Sequence, residues 1–251
     1  MSNKITTLLK LILLLATLPL VFACTTAQTR ESGMDVHNID PLEPVNRNIY
    51  AFNENMDRYL VKPVATGYAI VTPDILQTGI TNFFNNLEYL NVIVNSSLQG
   101  KLDQSLSDIF RFLTNSTLGI GGLFDVATPM GLDAHNEDLG QTFAVWGTGQ
   151  GAYLTLPLFG PNTVRDAPDL VSSWVLDPIT YITSAISLPA TALKLINKRA
   201  NLLESSKMLN EAALDPYSFL REYYLQQRNY LIFDGPPPAN LDEDIFGDEN
   251  I

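Results

Sequence analysis

Apolar residues return at steps of three and four along two stretches of the chain, and those stretches set the first expectation of structure. Leu76, Ile80, Phe83, Phe84, Leu87, Leu90, Val94 and Leu98 keep that spacing, with Asn82, Asn85, Asn86 and Asn91 interleaved, so the run predicts an amphipathic helix of about seven turns from near Asp74. A second helix is predicted behind it, with Leu102, Leu106, Ile109, Phe110 and Leu113 on one face, and it stops at Gly119, Gly121 and Gly122. Glycines so close together lower the steric cost of a tight bend, which leaves two readings, a plain helix stop and a hinge. Asp215-Pro216 and Thr163-Val-Arg-Asp166 are candidate helix starts, because a short oxygen-bearing side chain accepts orphan amides and proline is tolerated at the first helical position. The one extended piece expected is Ala152 to Leu156, preceded by a tight turn at Gly147-Thr-Gly-Gln-Gly151. The fold class predicted is mainly α, with short extended segments.

Leu170 to Leu193 does not follow the pattern of a soluble core helix. Its only charge is Asp177, and Pro178 and Pro189 are expected to break it, so it is not a regular spanning helix. One reading is a buried helix. The other is a pair of helices lying in a bilayer interface, with Trp174 and Tyr181 at headgroup depth and Ile182 and Ile186 toward lipid.

The amino terminus bears on that choice. Lys4 and Lys10 precede an apolar run from Leu11 to Ala23, and Cys24, the single cysteine, follows directly. A basic start, a short apolar core and a small residue before a cysteine read as a lipoprotein signal over residues 1–23, with Cys24 as the acylated residue. More than one acyl chain gives stable membrane attachment, and Thr25 in place of aspartate favours export to the outer membrane. Loss of residues 1–23 removes two lysines and no acid, taking the net charge from −12 to −14. Nucleic acid is therefore an unsuitable partner. Residues 24–39 read as a lipidated tether and residues 40–233 as one helical domain. Residues 234–251 carry six acids and no base, and read as a disordered acidic tail.

Catalytic groups are sparse. Of the two histidines, His37 falls in the tether, so a Ser-His-Asp hydrolase would rest on His135 alone. The chain has no Gly-x-Ser-x-Gly turn, no His-Glu-x-x-His and no phosphate loop ending in Gly-Lys-Ser/Thr. His135 with Glu137 and Asp138 could be proposed as a metal cluster, but Gly131 and Asn136 make the stretch read as a loop. No metal, cofactor or enzymatic activity is expected.

Longer motifs carry a resemblance. Asp40-Pro-Leu-Glu-Pro-Val-Asn-Arg-Asn-Ile-Tyr-Ala-Phe-Asn53 resembles the opening motif of the MlaA (VacJ) family of outer-membrane lipoproteins. So do Val61-Lys-Pro-Val64, the stretch from Arg111 to Ala127, and the run from Asp138 through Trp146 and Leu156-Pro157 to Arg165-Asp166, with Asp215-Pro-Tyr217 and Arg221-Glu222 completing the set. The matches run in family order from about Asp40 to Arg228, with Pro44-Val45 standing where the family more usually has Gly-Phe. The resemblance implies a compact, ring-shaped helical body sunk in the inner leaflet of the outer membrane, lipid-anchored on the periplasmic face, with a central amphipathic channel. It implies that mislocalised outer-leaflet phospholipids pass through that channel to a soluble periplasmic lipid carrier, beside a trimeric outer-membrane porin and without bond chemistry. On this reading Leu170 to Leu193 suits the apolar rim. Arg165, Asp166, Arg199 and Arg221 become channel or support candidates, with internal ion pairing as their plainer role. Two rival classes stay open: a structural porin-associated lipoprotein without transport, and a lipid hydrolase built on His135.

Overall fold

The computed structural model describes residues 39–238. The signal segment, Cys24, the tether through residue 38 and the acidic tail from residue 239 lie outside the described residues.

A long bent helix opens the fold. Helix α1 (Glu43–Met56) starts with Pro44 in its first turn and runs without a gap through a π-helical turn, Asp57–Val61, into α2 (Lys62–Val71). The amide of Lys62 bonds back to the carbonyl of Asp57, five residues earlier. Pro63 explains the position of this turn. It has no N–H for the carbonyl of Tyr59, so the ladder loosens over the residues before it rather than breaking.

Helices α3 (Asp74–Leu98) and α4 (Leu102–Thr117) follow, and they pack together as an antiparallel pair joined at Gly100, which takes a positive φ of 79°. A loop with a short 3₁₀ turn (Thr128–Met130) leads to the short helix α5 (Leu139–Val145), capped by the Asp138 carboxylate, which accepts from the amide of Gln141. Strands β1 (Tyr153–Leu156) and β2 (Gly160–Thr163) form an antiparallel hairpin in which Tyr153 faces Thr163 and Leu156 faces Gly160. The extended piece expected at Ala152 to Leu156 is thus half of a hairpin.

Thr163 does not start a helix. Its backbone is committed to the ladder with Tyr153, and its hydroxyl accepts from the amide of Asp166 in a turn. Pro168 disfavours helical backbone at Ala167, so α6 begins only at Asp169 and runs to Leu176. A 3₁₀ turn, Pro178–Tyr181, then leads to α7 (Ser184–Asn201). Pro178 interrupts the helix as expected, but Pro189 does not. It lies in the second turn of α7 on the exposed side, where it forfeits one backbone bond and the helix continues. Helix α8 (Leu203–Ala212) and α9 (Pro216–Ile232) complete the body, the latter started by Asp215, whose carboxylate accepts from the amide of Tyr217.

The apolar core is small. Tyr153, Tyr217 and Leu225 pack with Ile39, Tyr50 and Tyr224, tying the hairpin to α1 and α9. Tyr153 and Tyr217 meet edge to face at 6.3 Å, and Tyr50 and Tyr217 at 5.7 Å. No helix among the described residues is long and apolar enough to cross a membrane.

Candidate polar passage and apolar rim

Helix α4 shows how this body departs from a water-soluble one. Its buried residues are Ser105, Asp108, Arg111 and Asn115, while Leu102, Leu106, Phe110 and Leu113 stand exposed on the opposite side. The periodicity is that of an amphipathic helix, but the apolar face points outward. The inversion extends across the described residues, where twenty polar or charged side chains are buried against ten apolar ones, and forty large apolar side chains are exposed. In water such a surface would be costly, since soluble proteins seldom expose wide apolar patches and seldom bury unpaired charge. A body seated in lipid has the reverse requirement, with apolar groups outside and polar groups satisfied within.

The buried charges gather in hubs that join distant segments. In the first, Arg228 of α9 reaches both oxygens of Asp138, donating to Oδ1 at 2.9 Å, and donates to Asp166 Oδ1 at 3.1 Å. Arg165 Nε and the Tyr224 hydroxyl also donate to Asp166, at 3.0 and 2.9 Å. Burial pushes the Asp166 carboxyl up, but the charges of Arg228 and Arg165 outweigh it and hold it below the usual range. Gly140 lets α5 sit against this hub, since a Cβ there would lie 2.4 Å from Asp166 Oδ1. In the second hub, Asp40 accepts from Arg221, from the Tyr217 hydroxyl and from Asn46, and Asn46 also spans to the Tyr153 carbonyl and the Thr155 amide.

A third hub locks the joint that follows α4. Arg111 donates to Asp125 at 2.6 Å and to the Thr128 hydroxyl at 2.8 Å, while the Asn115 side chain bonds Asp125 and receives the amides of Val126 and Ala127. Burial raises the Asp125 carboxyl, but hydrogen bonds from Thr128, Arg111 and Asn115 prevail and bring it to about 2. The three glycines of this joint are not equivalent. Gly122 has a φ of 90°, and a Cβ on it would lie 2.7 Å from Asn86 Cβ. A Cβ on Gly119 would lie 2.2 Å from the Phe124 carbonyl oxygen, whereas Gly121, with φ 71°, has open space around it.

The other sequence candidates fall in different places. Arg165, Asp166 and Arg221 are buried in the first two hubs. Arg199 lies apart, gripping Asp57 at the π-helical turn through two bonds of 2.6 and 2.8 Å. Trp174, Tyr181, Ile182 and Ile186 are all exposed, Trp174 by 63%, so the buried-helix reading of Leu170 to Leu193 does not describe this fold. Ile179 is the buried exception. Sequence reasoning names Arg111, Arg228 and Asp40 only as motif positions and weighs Glu137 only as a metal ligand, although each is buried and paired. Glu137 accepts from Gln99, Lys101 and Gln104. A signal did exist for Arg111: it falls on the polar side of a helix whose opposite face is wholly apolar, and that face was open to an outward reading.

His135 sits on a loop and bonds the buried carboxylate of Asp108 at 2.8 Å, so the acid that a hydrolase would need is in reach. Asp108 also accepts from Ser96 at 3.2 Å. No serine among the described residues bonds the histidine ring, so a nucleophile–base pair is not assembled there. An open groove of about 510 Å³ runs beside the start of α9, walled by Leu214, Phe219 and Tyr223 with Asp215 and Glu222. Both acids are already paired, Asp215 with Arg47 and Glu222 with Arg221, which the groove shares with the Asp40 hub.

Several buried nitrogen and oxygen atoms lack a protein partner among the described residues: Arg111 Nε, Arg165 Nη2, Arg228 Nε, Tyr89 Oη and Asn86 Oδ1.

Comparison with known proteins accords with this architecture. The family model described as MlaA lipoprotein matches residues 38–231. The intermembrane phospholipid transport system lipoprotein MlaA of Escherichia coli is 34% identical over 220 residues, covering 86% of this chain and 86% of its own length. A protein of Rickettsia bellii is 36% identical over 209 residues, 80% of this chain and 82% of its own. A solved structure from work described as "Structural basis for maintenance of bacterial outer membrane lipid asymmetry" shares 34% identity with a TM-score of 0.68, covering 77% of this chain and 98% of that one.

Proposed function

The chain belongs to the MlaA lipoprotein family, and from that premise we propose that it carries mislocalised phospholipids out of the outer leaflet of the outer membrane through an amphipathic passage and hands them to a soluble periplasmic carrier. The observation that supports this reading most is the inverted polarity of the body, with charge and amide groups inside and forty large apolar side chains outside. A phospholipid crossing a leaflet presents two problems. Its headgroup needs polar partners throughout, and its acyl chains need an apolar environment. The buried charged interior around Arg111, Arg165 and Arg228 suits the first need, and the exposed faces of α4 and α7 suit the second.

Within this account Arg165, Asp166 and Arg221 act as supports. Their paired charges hold α9, the hairpin and α5 around the polar interior without leaving a bare ion. Arg199 supports the bend in the first helix. Trp174, Tyr181, Ile182 and Ile186 form part of the rim, and acylation at Cys24 keeps the body on the periplasmic face of the outer membrane, next to a trimeric porin. Gly119 and Gly122 are closely packed joints, and Gly121 is the freer position of the three for a hinge. The chemistry is displacement without bond breaking, so no cofactor has a role.

Lipid exchange tests the proposal. Vesicles carrying the acylated chain and a labelled phospholipid are mixed with the soluble carrier, and label on the carrier is followed over time. Transfer well above that from protein-free vesicles is expected. Equal transfer from both, by a chain that still binds its porin, would make it a structural lipoprotein instead.

A further inference from the structure

Eight of the twelve lysines and arginines in the described residues reach a carboxylate. Among the described side chains the other four, Arg58, Lys62, Lys198 and Lys207, meet none, and all four are exposed. They are not scattered. Arg199 joins three segments by donating to Asp57 at 2.6 and 2.8 Å and to the Ser206 hydroxyl at 3.1 Å. Arg58 follows Asp57 in the chain, Lys198 precedes Arg199, Lys207 follows Ser206, and Lys62 stands one turn beyond Arg58. The bridge therefore gathers the four unpaired bases at one corner of the fold. The acids near them are Asp57, which Arg199 neutralises, Glu54, which faces Arg199, and Glu204 at the start of α8. Lys207 shares α8 with the acids Glu204 and Glu211, so the local excess comes from Arg58, Lys62 and Lys198, which stand against Glu54 once Arg199 has neutralised Asp57, on a chain whose net charge is −12.

What lies between the bases decides the partner. Tyr59 is 75% exposed, and Leu60, Val64, Leu195, Leu202 and Met208 are exposed around it. Exposed long basic side chains set in sequence among exposed apolar residues, with a tyrosine among them, match the border between hydrocarbon and headgroups better than they match a water-facing docking site. The corner also continues the apolar exterior formed by α2 and α7. We propose that this corner is a seat for the anionic headgroups of the phospholipid bilayer in which the body sits, so that membrane seating depends on lipid charge as well as on apolar area. The inference rests on the lipid-facing reading of the exterior.

The test uses the chain from residue 24 onward bearing Cys24→Ser, so that neither an acyl chain nor the basic apolar signal hides the contribution of the body. It is floated with vesicles of phosphatidylcholine alone and with vesicles containing phosphatidylglycerol. Near an anionic surface each base contributes about fivefold in partitioning, so Arg58, Lys62 and Lys198 together give a preference on the order of a hundredfold for the anionic vesicles. That preference should fade as salt is raised toward about 0.5 M. The triple variant Arg58→Gln, Lys62→Gln, Lys198→Gln should lose it while keeping wild-type binding to phosphatidylcholine and its thermal midpoint, and Arg58→Lys should retain it. Equal binding of the wild type to both vesicles would overturn the inference and leave the lipid-facing exterior standing. Binding to neither would overturn both. Displacement from the anionic vesicles by soluble polyglutamate at matched charge would assign the corner to an acidic polypeptide and overturn the lipid seat.

Discussion

Helices α4 and α7 both turn apolar side chains outward, but they differ in what stands behind them. Behind Leu106, Phe110 and Leu113 of α4 are Asp108, Arg111 and Asn115, all buried and bonded to the following loop, to His135 and to one another's partners. Behind Ile186 and Leu188 of α7 there is little. Its buried residues are Asn197 and Ala200, both in the last two turns, where Asn197 bonds Thr81 and Tyr68. Near the end of its third turn Lys194 bridges Glu88 at 3.0 Å and Asp177 at 3.1 Å. The contrast teaches that an outward apolar face can be fixed from within by polar bonds, as in α4, or left to be completed by its surroundings, as in α7.

The largest effect that would test this contrast is expected at Arg111. Arg111→Ala leaves the Asp125 carboxylate, the Thr128 hydroxyl and the Leu132 carbonyl without their donor, and should cost about 3–5 kcal/mol. Leu188→Ala on α7 should cost less than about 0.5 kcal/mol in detergent, because its side chain is exposed. Thermal or denaturant unfolding of the two variants reads the difference, and similar losses would erase the distinction between the helices.

The glycine joint gives the next effect. Gly122→Ala combines a left-handed backbone with a contact that cannot be relieved without moving Asn86, and should lose about 2–4 kcal/mol. Gly121→Ala meets no neighbour and should lose only about 1 kcal/mol for its positive φ. A measured order in the opposite sense would mean that α4 is not held as described. With both variants folded and porin-bound, a transport defect in Gly121→Ala alone would identify that residue as a hinge.

Acid should weaken the lock at the end of α4. The folded Asp125 carboxyl is lowered to about 2, below its usual value, so its contribution is fully present above about pH 4 and is lost as the pH falls toward 2. Its partial exposure screens the effect, which should amount to about 1–2 kcal/mol. Asp125→Asn should flatten the stability profile over that window. An unchanged profile would remove Asp125 from the lock.

These differences set the limit of what the sequence made legible. Spacing alone located α3 and α4 to within a residue or two and placed the start of α9 at Asp215-Pro216, because helix period and capping are local properties. Which way a helix faces is not local. Leu102, Leu106, Phe110 and Leu113 read identically whether the solvent beyond them is a protein core or lipid, and only the burial of Asp108 and Arg111 settles the direction. The ion-paired hubs were invisible for a similar reason. Asp40 and Arg221 lie 181 residues apart, and Asp138 and Arg228 lie 90 apart, so no window contains both partners. The hairpin was half seen because Gly160-Pro-Asn-Thr163 has almost no strand propensity, and its pairing with Tyr153–Leu156 supplies what propensity lacks.

A modest effect on membrane seating is expected on the weakly anchored side. Ile182→Lys or Ile186→Asp should weaken membrane seating by about 1 kcal/mol, since an interfacial side chain can extend its charge toward the headgroups. Co-flotation of the Cys24→Ser chain with vesicles measures it. A loss several times larger would place these residues deep in hydrocarbon, and no loss at all would place them in water.

The central claim is that the outward apolar faces of the body contact the acyl chains of the bilayer. Spin labels at Leu106 and Phe110 on α4, and at Ile186 on α7, measured in membrane-bound protein with an apolar and a water-soluble relaxation agent, address it directly. High access to molecular oxygen and low access to the water-soluble agent at all three positions is the predicted result. Bulk-water accessibility at Leu106 and Phe110, in protein shown to be folded and membrane-bound, would contradict it.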